Sequence, residues 1–145
     1  MNENIIKFIS QQTCATVSCV DATNKPYSFS CFYAFNEKEG LLYYKSSLET
    51  KHSQIILEHP FVAGTILPDK LNKIRIRGLQ FEGEVLPVTH PDAKNAADIY
   101  YHTHPLAMAI GGEVWTIKVN SIKYTDSSLG FGKKVGWRRE VKELV

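Results

Sequence analysis

The sequence has few cysteines, little excess charge and no long apolar run, and each of these shortages argues against a class of protein. Its three cysteines, Cys14, Cys19 and Cys31, are odd in number and lack C-x-x-C spacing, which argues against a disulfide framework or a zinc cluster. A formal net charge of +2 in 145 residues does not by itself indicate nucleic acid or an anionic membrane as partner. No apolar stretch approaches the roughly 20 residues that span a bilayer, and residues 1–10 lack the apolar core of a signal peptide. We therefore expect a cytoplasmic protein without nucleic-acid or membrane partners, whose reduced cysteines are small buried hydrophobic residues.

The sequence also lacks the motifs of several common enzymes and binding sites. It contains no G-x-S-x-G nucleophile motif, no G-x-G-x-x-G and no P-loop. His102 and His104 flank one threonine, but they follow a helix-like run and stop at Pro105, so we predict no metal there. No catalytic acid, base or nucleophile is therefore assigned from the sequence.

A glycine-rich, basic segment near the C-terminus, residues 130–134, has two interpretations. It is either a turn before a solvated charged end or a loop that closes over an anion. A minor alternative is that this region contacts nucleic acid through Lys133, Lys134, Trp137, Arg138 and Arg139. The sequence leaves these alternatives open.

The remaining pattern predicts one domain, residues 1–145, that is mainly β with short helices. At 145 residues and 43% hydrophobic content, the chain is expected to bury roughly two thirds of its unfolded surface. About six or seven strands, separated by turns and short helices, favour a small closed antiparallel barrel, a split β-barrel. Alternation and turn residues place the strands at 14–20, 27–35, 41–46, 61–67, 73–86, 113–119 and 121–126. Helices are predicted over 3–12, from a Ser47 cap to about His59 with Leu48 inward, and over 90–101.

The long predicted strand at 73–86 changes its side-chain parity. Ile76 falls on one face of the strand, whereas Phe81 falls on the other. A strand has a side-chain period of two, so this pattern requires one extra residue. We therefore predict a bulge at Arg77-Gly78, where the glycine either lets a ligand approach or only bends the strand.

The most informative segment runs from the predicted strand at 27–35 into the helix that follows residues 41–46. Hydroxyl and ammonium groups crowd the step between hairpin and helix, in Tyr44, Lys45, Ser46, Ser47, Thr50 and Lys51. Such groups beside the unpaired N–H donors of a helix N-terminus predict a phosphate site. Arg75 or Arg77 is expected to reach it from a neighbouring strand, while the slim strand face with Ser28 and Ser30 admits a flat ring. The predicted ligand is therefore a planar aromatic molecule with a phosphate tail.

In the order and spacing of these segments, the chain resembles the FMN-binding split barrels of the pyridoxamine 5'-phosphate oxidase type. The resemblance rests on the hairpin ending at Tyr43-Tyr44, the S-x-x-x-T-K-x-x-Q-I run from Ser46 to Ile55, and the R-G-x-x-x-x-G from Arg77 to Gly83. Residues 77–85 and 125–134 also resemble a small bacterial branch of these barrels, the YhbP-like proteins. The resemblance implies an FMN cofactor bound by Phe29, Ser30, Cys31, Tyr44, Lys45, Ser46, Thr50, Lys51, Arg77, Gly78 and Gln80.

Departures from the family pattern qualify the implied activity. The oxidases usually carry Arg-Gln at the start of the bulged strand, where this chain has Arg77-Gly78 and Gln80 would have to supply the amide. They also carry a C-terminal tryptophan followed by Arg-x-His, where this chain has Trp137-Arg138-Arg139. Oxidation of pyridoxamine phosphate is therefore not expected, although FMN binding is. Thr50 also replaces a basic residue of the family, with Lys45 as the candidate to compensate.

The resemblance further implies a homodimer with two flavin sites at the subunit interface. Six aromatic side chains agree with this unless they simply fill the barrel, because they exceed what one small barrel readily encloses: Phe29, Phe32, Tyr33, Phe35, Tyr43 and Trp115. The leading hypothesis is an FMN-dependent oxidoreductase acting on an unidentified small molecule. The alternatives are an interaction module with a vestigial site, and a non-catalytic binder of flavin, pyridoxal phosphate or haem, with His52, His102 or His104 as axial ligand.

Overall fold

A computed structural model describes residues 1–130 and 133–141 of the chain. The helices in this part are α1 (Glu3–Gln11), α2 (Lys51–Glu58) and α3 (Ala96–Thr103). The strands are β1 (Cys14–Val20), β2 (Pro26–Asn36), β3 (Leu41–Ser46), β4 (Phe61–Ile66), β5 (Arg77–Leu86), β6 (Glu113–Asp126) and β7 (Lys134–Arg138). Short 3-10 turns lie at Pro91–Ala93, Pro105–Ala109 and Ser127–Leu129. The predicted class, mainly β with short helices, is confirmed.

The strands form one antiparallel sheet that closes on itself. Their order is β3-β2-β1-β4-β5-β6-β7, and β3 also pairs with β6. Six strands therefore make a barrel, and β7 is an extra strand beside β6. The length of β6 allows both contacts, because residues 113–118 pair with β3 and residues 121–125 pair with β7. The prediction of a closed antiparallel barrel is confirmed.

The barrel core follows from alternation along the strands. Ala15, Val17 and Cys19 of β1 are each at most 2% exposed, while the residues between them face outward or are partly covered. Helix α1 adds three side chains at helical spacing to the same core: Ile5, Phe8 and Ile9. A second, smaller cluster packs α3 against β2 and β3 through Ala34, Leu41, Tyr43, Ala96 and Tyr100. This second cluster places α3 and the turn after it beside β2.

Strand β5 begins at Arg77, later than the predicted start at residue 73. Ile74 and Ile76 precede it in a loop and are 92% and 61% exposed. From Leu79 to Val85 the buried side chains keep one parity. The apparent change of parity in the sequence is therefore a boundary between loop and strand, and it needs no extra residue.

The bulge of β5 and β6 lies elsewhere, so the predicted bulge at Arg77-Gly78 is wrong. Arg77 and Gly78 pair in regular register with Asp126 and Thr125 of β6. The register shifts between Glu82 and Gly83, and Asn120 of β6 is the extra residue. A Cβ at Gly83 would lie 2.5 Å from the Lys118 carbonyl oxygen, so the close approach that requires glycine occurs here.

Helix α2 begins three residues later than a Ser47 cap would place it. The Thr50 hydroxyl caps it by accepting a hydrogen bond from the Ser53 N–H at 3.2 Å. Leu48, predicted to point inward, lies in the turn before the helix and is 47% exposed. The predicted helix over 90–101 is likewise divided, into the 3-10 turn Pro91–Ala93 and α3.

The cysteines and aromatic side chains are distributed differently from the expectation. Cys19 is buried and Cys31 is half-buried, but Cys14 is exposed, so the expectation of buried cysteines is wrong for Cys14. Of the six aromatic residues expected to exceed the barrel interior, Tyr33, Tyr43 and Trp115 are buried, and Phe29 and Phe35 pack partly buried against the core. Phe32 is 57% exposed. The aromatic count therefore does not by itself require a second subunit.

The C-terminal part adds a strand that the sequence did not predict. Trp137 of β7 packs against the barrel core, and the Arg139 guanidinium donates hydrogen bonds to the carbonyls of Val119, Glu39 and Gly40 at 2.9 Å. Arg139 thus holds the tail to the β2–β3 turn. Phe131 and Gly132 of the glycine-rich segment lie outside the described residues. In the part that the structure describes, no helix has both the length and the apolar character needed to cross a membrane.

Candidate functional site

A cleft of about 270 Å³ opens between β2, the end of β3 and the start of α2, and we call it the β2–α2 cleft. Its walls are residues 29–32 of β2, Lys45 and Ser46 of β3, and His52 of α2. The α3 side closes it with Tyr100, Ala107, Ile110 and Gly111. Among the described residues, no carboxylate lines this cleft, so its one formal charge is the ammonium of Lys45.

Lys45 bridges the cleft to the turn that follows α3. Its Nζ donates hydrogen bonds to the carbonyl oxygens of Ala107, at 2.7 Å, and Ile110. The same ammonium lies 4.9 Å from the ring centroid of Tyr101. Lys45 therefore holds the 105–110 turn against the barrel, and its donors point at carbonyls.

Ser46 and His52 form a polar pair on the opposite wall. The His52 ring lies parallel to the ring of Phe29, with centroids 3.7 Å apart and 9° between the planes. Its Nε2 is 2.7 Å from the Ser46 hydroxyl, and the Ser46 carbonyl accepts a hydrogen bond from Trp115 Nε1 at 3.0 Å. Burial lowers the pKa of the His52 imidazole, so the neutral form is favoured at neutral pH. The pair is fixed by stacking on one side and by β3 on the other.

The start of α2 is built from hydroxyl groups, most of which are used within the helix cap. Thr50 Oγ1 accepts from Ser53 N–H and lies 2.7 Å from Ser53 Oγ, which donates to the Ser47 carbonyl. The first helical bond runs from Gln54 N–H to the Thr50 carbonyl. The N–H groups of Lys51 and His52 therefore precede the helical ladder and face outward from its first turn. Thr50 is a capping residue first, although its hydroxyl is also 3.5 Å from that of Ser46.

The structure brings together a large part of the set predicted to bind a cofactor. Five of the predicted residues line the cleft: Phe29, Ser30, Cys31, Lys45 and Ser46. Thr50 and Lys51 adjoin it at the start of α2, and the exposed Lys51 side chain places its Nζ 4.5 Å from the Tyr27 ring centroid. Burial raises the pKa of Cys31 to about 12, so its thiol stays protonated at neutral pH.

Tyr44 lies in the barrel core and does not line the cleft. It is fully buried, its ring is parallel to that of Trp115 at 6.2 Å, and its hydroxyl has no hydrogen-bond partner among the described residues. Burial raises its pKa far above the usual range of a tyrosine. Its buried position makes Tyr44 a packing residue in a single copy of the chain.

The remaining predicted residues, Arg77, Gly78 and Gln80, lie on β5, away from the cleft. The Arg77 guanidinium is 5.7 Å from the ring centroid of Phe8. Gln80 contributes to a larger hollow of about 780 Å³ on the barrel's outer face, together with Thr16 and Thr65. A Cβ at Gly78 would meet nothing closer than 3.7 Å, so this position has no steric need for glycine.

Two parts of the cleft escaped sequence reasoning as cofactor contacts. The sequence predicts His52 only as an axial ligand of haem in one alternative, although its position in the first turn of α2, directly after Lys51, is a signal that it belongs to the hydroxyl-rich step. The turn at 105–111 meets β3 through contacts more than 60 residues apart in sequence, which no local pattern indicates. In the described part of the chain, no group of three or more metal-ligating side chains is clustered.

Comparison with solved structures places the fold in a known class. A haem-binding protein from Mycobacterium smegmatis matches with a TM-score of 0.75 and 12% identity, over 90% of this chain and 55% of that protein. This chain thus spans about half the length of the mycobacterial protein. A FAD-binding protein from Mesorhizobium loti matches with a TM-score of 0.68 and 13% identity, over 87% of this chain and 95% of that protein. By its fold, the closed six-strand barrel is that of a split-barrel protein.

Comparison of sequences gives the family. No protein-family model matches the chain. A UPF0306 protein from Photorhabdus laumondii is 33% identical over 135 residues, which cover 93% of this chain and 94% of that protein. The chain belongs to the UPF0306 family.

Proposed function

We propose that this protein binds a flavin- or haem-type cofactor in the β2–α2 cleft, with FMN as the leading ligand, and acts as a flavin-dependent oxidoreductase on a small molecule. The observation that carries the proposal is the cleft itself. It combines an aromatic strand wall with the Ser46 hydroxyl and the His52 imidazole, it adjoins Lys51 at the start of α2, and among the described residues no carboxylate lines it. Split barrels that bind FAD and haem, in the two neighbours above, support the same class of ligand.

The donors suit a phosphate and the walls suit a flat ring. Ser46 Oγ, the outward N–H groups of Lys51 and His52, and Lys51 Nζ are hydrogen-bond donors, and such donors favour an anion at a helix start. The β2 backbone at 29–31, where Phe29 and Cys31 are half-buried and Ser30 is exposed, would form a wall beside the ring. A bound FMN would supply hydride transfer, while the protein would supply orientation and exclusion of water. Lys45 contributes to that exclusion by fixing the 105–110 turn.

The cleft of one chain encloses part of such a cofactor. Its volume of about 270 Å³ is below the roughly 300–1,000 Å³ of most ligand pockets. Large apolar side chains are exposed at its rim, both in the lining, with Phe32 at 57% and Ile110 at 67%, and in the adjoining 105–110 turn, with Leu106 at 88% and Met108 at 70%. We therefore include a homodimer in the proposal, in which a second copy covers this rim and brings Arg77, Gly78 and Gln80 to the cofactor.

Titration with FMN tests the proposal directly. The protein should quench FMN fluorescence with a saturable midpoint, and riboflavin, which lacks the phosphate, should bind much more weakly. Lys51→Glu should abolish measurable FMN binding, because it reverses the charge next to the phosphate donors. The variant should fold, since an acid is favourable in the first turn of a helix. Lys7→Glu makes the same charge change on the exposed face of α1 and should leave binding unchanged; equal affinity of all three proteins would contradict this placement.

Haem is the second candidate, because a structural neighbour binds it. Axial ligation would require a free histidine nitrogen. His104 Nε2 is 2.7 Å from the Tyr33 carbonyl, to which it must donate, and His52 Nε2 is paired with Ser46. Either histidine would have to give up its present bond or use Nδ1. A Soret band that shifts and saturates on haem addition, without FMN quenching, would favour haem over flavin; no binding of either would favour an interaction module.

A further inference from the structure

His52 lies in a part of the cleft where few of the predicted phosphate contacts have an unused hydrogen-bond donor. The two residues expected to support the phosphate besides Lys51 are both engaged: Lys45 binds the Ala107 and Ile110 carbonyls, and Thr50 caps α2. The next hydroxyl toward the cleft is Ser46 Oγ, whose partners are the side chains of His52, with Nε2 at 2.7 Å, and Thr50, with Oγ1 at 3.5 Å. A phosphate that receives a hydrogen bond from Ser46 therefore lies beside the imidazole.

We propose that His52 is a phosphate-binding residue of the β2–α2 cleft and that it takes up a proton when the phosphate ester binds. This inference rests on the proposed function, because the phosphate belongs to the proposed cofactor. The imidazole is held for this role by its stack on Phe29, which fixes the ring plane, and by Ser46, which fixes the direction of Nε2. A charged imidazolium beside Lys51 would supply the positive charge that Thr50 does not.

The charges around His52 determine the direction of the pH effect. On its own helix the neighbouring ionisable group is Lys51; from β3 it is Lys45, from β2 Cys31, and from α3 Tyr100. Burial raises the pKa of both the Cys31 thiol and the Tyr100 hydroxyl, so neither titrates near neutrality. Without ligand, burial and the absence of a carboxylate among the described lining residues favour neutral His52. A phosphate dianion beside Nε2 favours the imidazolium.

Binding therefore consumes a proton, and affinity for FMN should rise as the pH falls. The gain begins when the pH drops below the His52 pKa of the complex and levels off below that of the free protein. The informative window is about pH 6.5 to 8.5, where a phosphate ester with a second pKa near 6 stays largely dianionic. Riboflavin should show no such slope, because it has no phosphate.

His52→Gln tests the inference, since glutamine still hydrogen-bonds Ser46 but carries no charge. We expect this variant to lose the pH slope for FMN and to bind FMN about tenfold more weakly at pH 6.5. Its riboflavin affinity should equal that of the unmodified protein, whereas a role limited to stacking on Phe29 would change both ligands. His102→Gln, an exposed histidine on α3, is the matched control and should keep both affinity and slope.

A second readout uses the unmodified protein and does not depend on the variant folding. The NMR titration of the His52 imidazole should give a higher pKa with FMN bound than without it, and no change with riboflavin. An unchanged His52 pKa on FMN binding, or an FMN slope retained in a folded His52→Gln, would overturn the role of His52 and leave the cofactor proposal intact. Failure of the unmodified protein to bind FMN would overturn the proposed function and this inference together.

Discussion

Two polar clusters in this molecule are built from similar side chains but differ in how many of their hydrogen bonds are made. The first, which we call the Asp126 cluster, consists of Arg75, Tyr124, Asp126 and Ser128. Its carboxylate is 4% exposed and accepts from Arg75 and Tyr124 at 3.0 Å and from the Ser128 N–H and hydroxyl at 2.9 and 2.7 Å. Both oxygens of the Asp126 carboxylate therefore have partners. In the β2–α2 cleft, Ser46 and His52 bond each other, whereas the first N–H groups of α2 and the exposed Lys51 ammonium have no hydrogen-bond partner among the described residues.

This is the difference expected between a structural cluster and a candidate binding site. A buried polar group without a partner costs free energy, so structural clusters are saturated. Donors that face a cleft cost little free energy because water hydrogen-bonds to them, and they contribute to binding when an acceptor of a ligand replaces that water. The size of a hollow is a poorer guide: the larger hollow on the outer face holds Gln80, Glu82, Lys123 and Arg138 among its walls, with charges of both signs.

The largest expected effect comes from breaking the saturated cluster. Asp126→Asn removes the charge and turns an amide N–H toward the donors of Tyr124 or Ser128. We expect the free energy of unfolding to fall by about 2–3 kcal/mol, because hydrogen bonds to a charged group are lost. The Arg75 side chain is 50% exposed and returns to water, which keeps the loss below the roughly 3–5 kcal/mol of a fully buried pair. Urea denaturation measures this, with the exposed Glu37→Gln as control; FMN affinity should not change.

The same cluster predicts the acid end of the stability profile. Burial alone would raise the pKa of Asp126, but hydrogen bonds from Arg75, Ser128 and Tyr124 outweigh it and hold the pKa well below the usual range. A depressed folded-state pKa contributes stability above the unfolded value near 4, and this contribution is lost as the pH falls further. Asp126→Asn should therefore lose less stability than the unmodified protein between about pH 4 and pH 2. Parallel profiles would contradict the assignment.

Two serine substitutions should have opposite effects, one lowering FMN affinity and the other lowering stability. Ser46→Ala removes the hydroxyl between Thr50 and His52, and we expect FMN affinity to fall about tenfold with little change in stability. Ser128→Ala removes a donor to Asp126, and we expect about 1 kcal/mol of lost stability with FMN affinity unchanged. Fluorescence titration measures the FMN affinity of both variants, and urea denaturation measures their free energy of unfolding. If both variants lost stability and neither lost affinity, the cleft would be a structural cluster as well.

Much of this arrangement could be predicted because it depends on local pattern. Small and β-branched residues predict β1, alternation predicts β2, and the turn after β2 predicts β3 as its hairpin partner, while the hydroxyl-rich step before α2 indicates the cleft. The sequence cannot distinguish a cap at Ser47 from one at Thr50, because either hydroxyl fits a cap and the choice depends on the Ser47 carbonyl accepting a hydrogen bond from Ser53. The predicted start of β5 at residue 73 is wrong for a related reason. Ile74 and Ile76 have strand-like side chains, but the Ile74 N–H donates to the Asn72 side chain and both residues remain exposed in a loop.

Other features depend on contacts that one sequence does not display. Tyr44 and Lys45 are neighbours in β3, yet pleating sends Tyr44 into the core and Lys45 toward a turn beyond α3. Arg77, Gly78 and Gln80 fit the motif of the resemblance, but their distance from the cleft depends on how the barrel closes. No sequence pattern indicates that the Tyr44 hydroxyl is buried without a hydrogen bond, and no side chain in the described part of the chain bonds to it.

The smallest expected effect concerns Lys45, whose two interpretations the comparison can separate. Lys45→Met should loosen the 105–110 turn, because the ammonium holds the Ala107 and Ile110 carbonyls. We expect the Ile110 amide, which donates to the Ala107 carbonyl, to exchange about fivefold faster with deuterium, for about 1 kcal/mol of local stability. Global stability should change by less, and Lys70→Met, at an exposed lysine, should change neither. As a clamp on the turn, Lys45 should weaken FMN and riboflavin binding equally when replaced. A loss confined to FMN, with unchanged exchange at Ile110, would instead make Lys45 a phosphate ligand, as the sequence predicts.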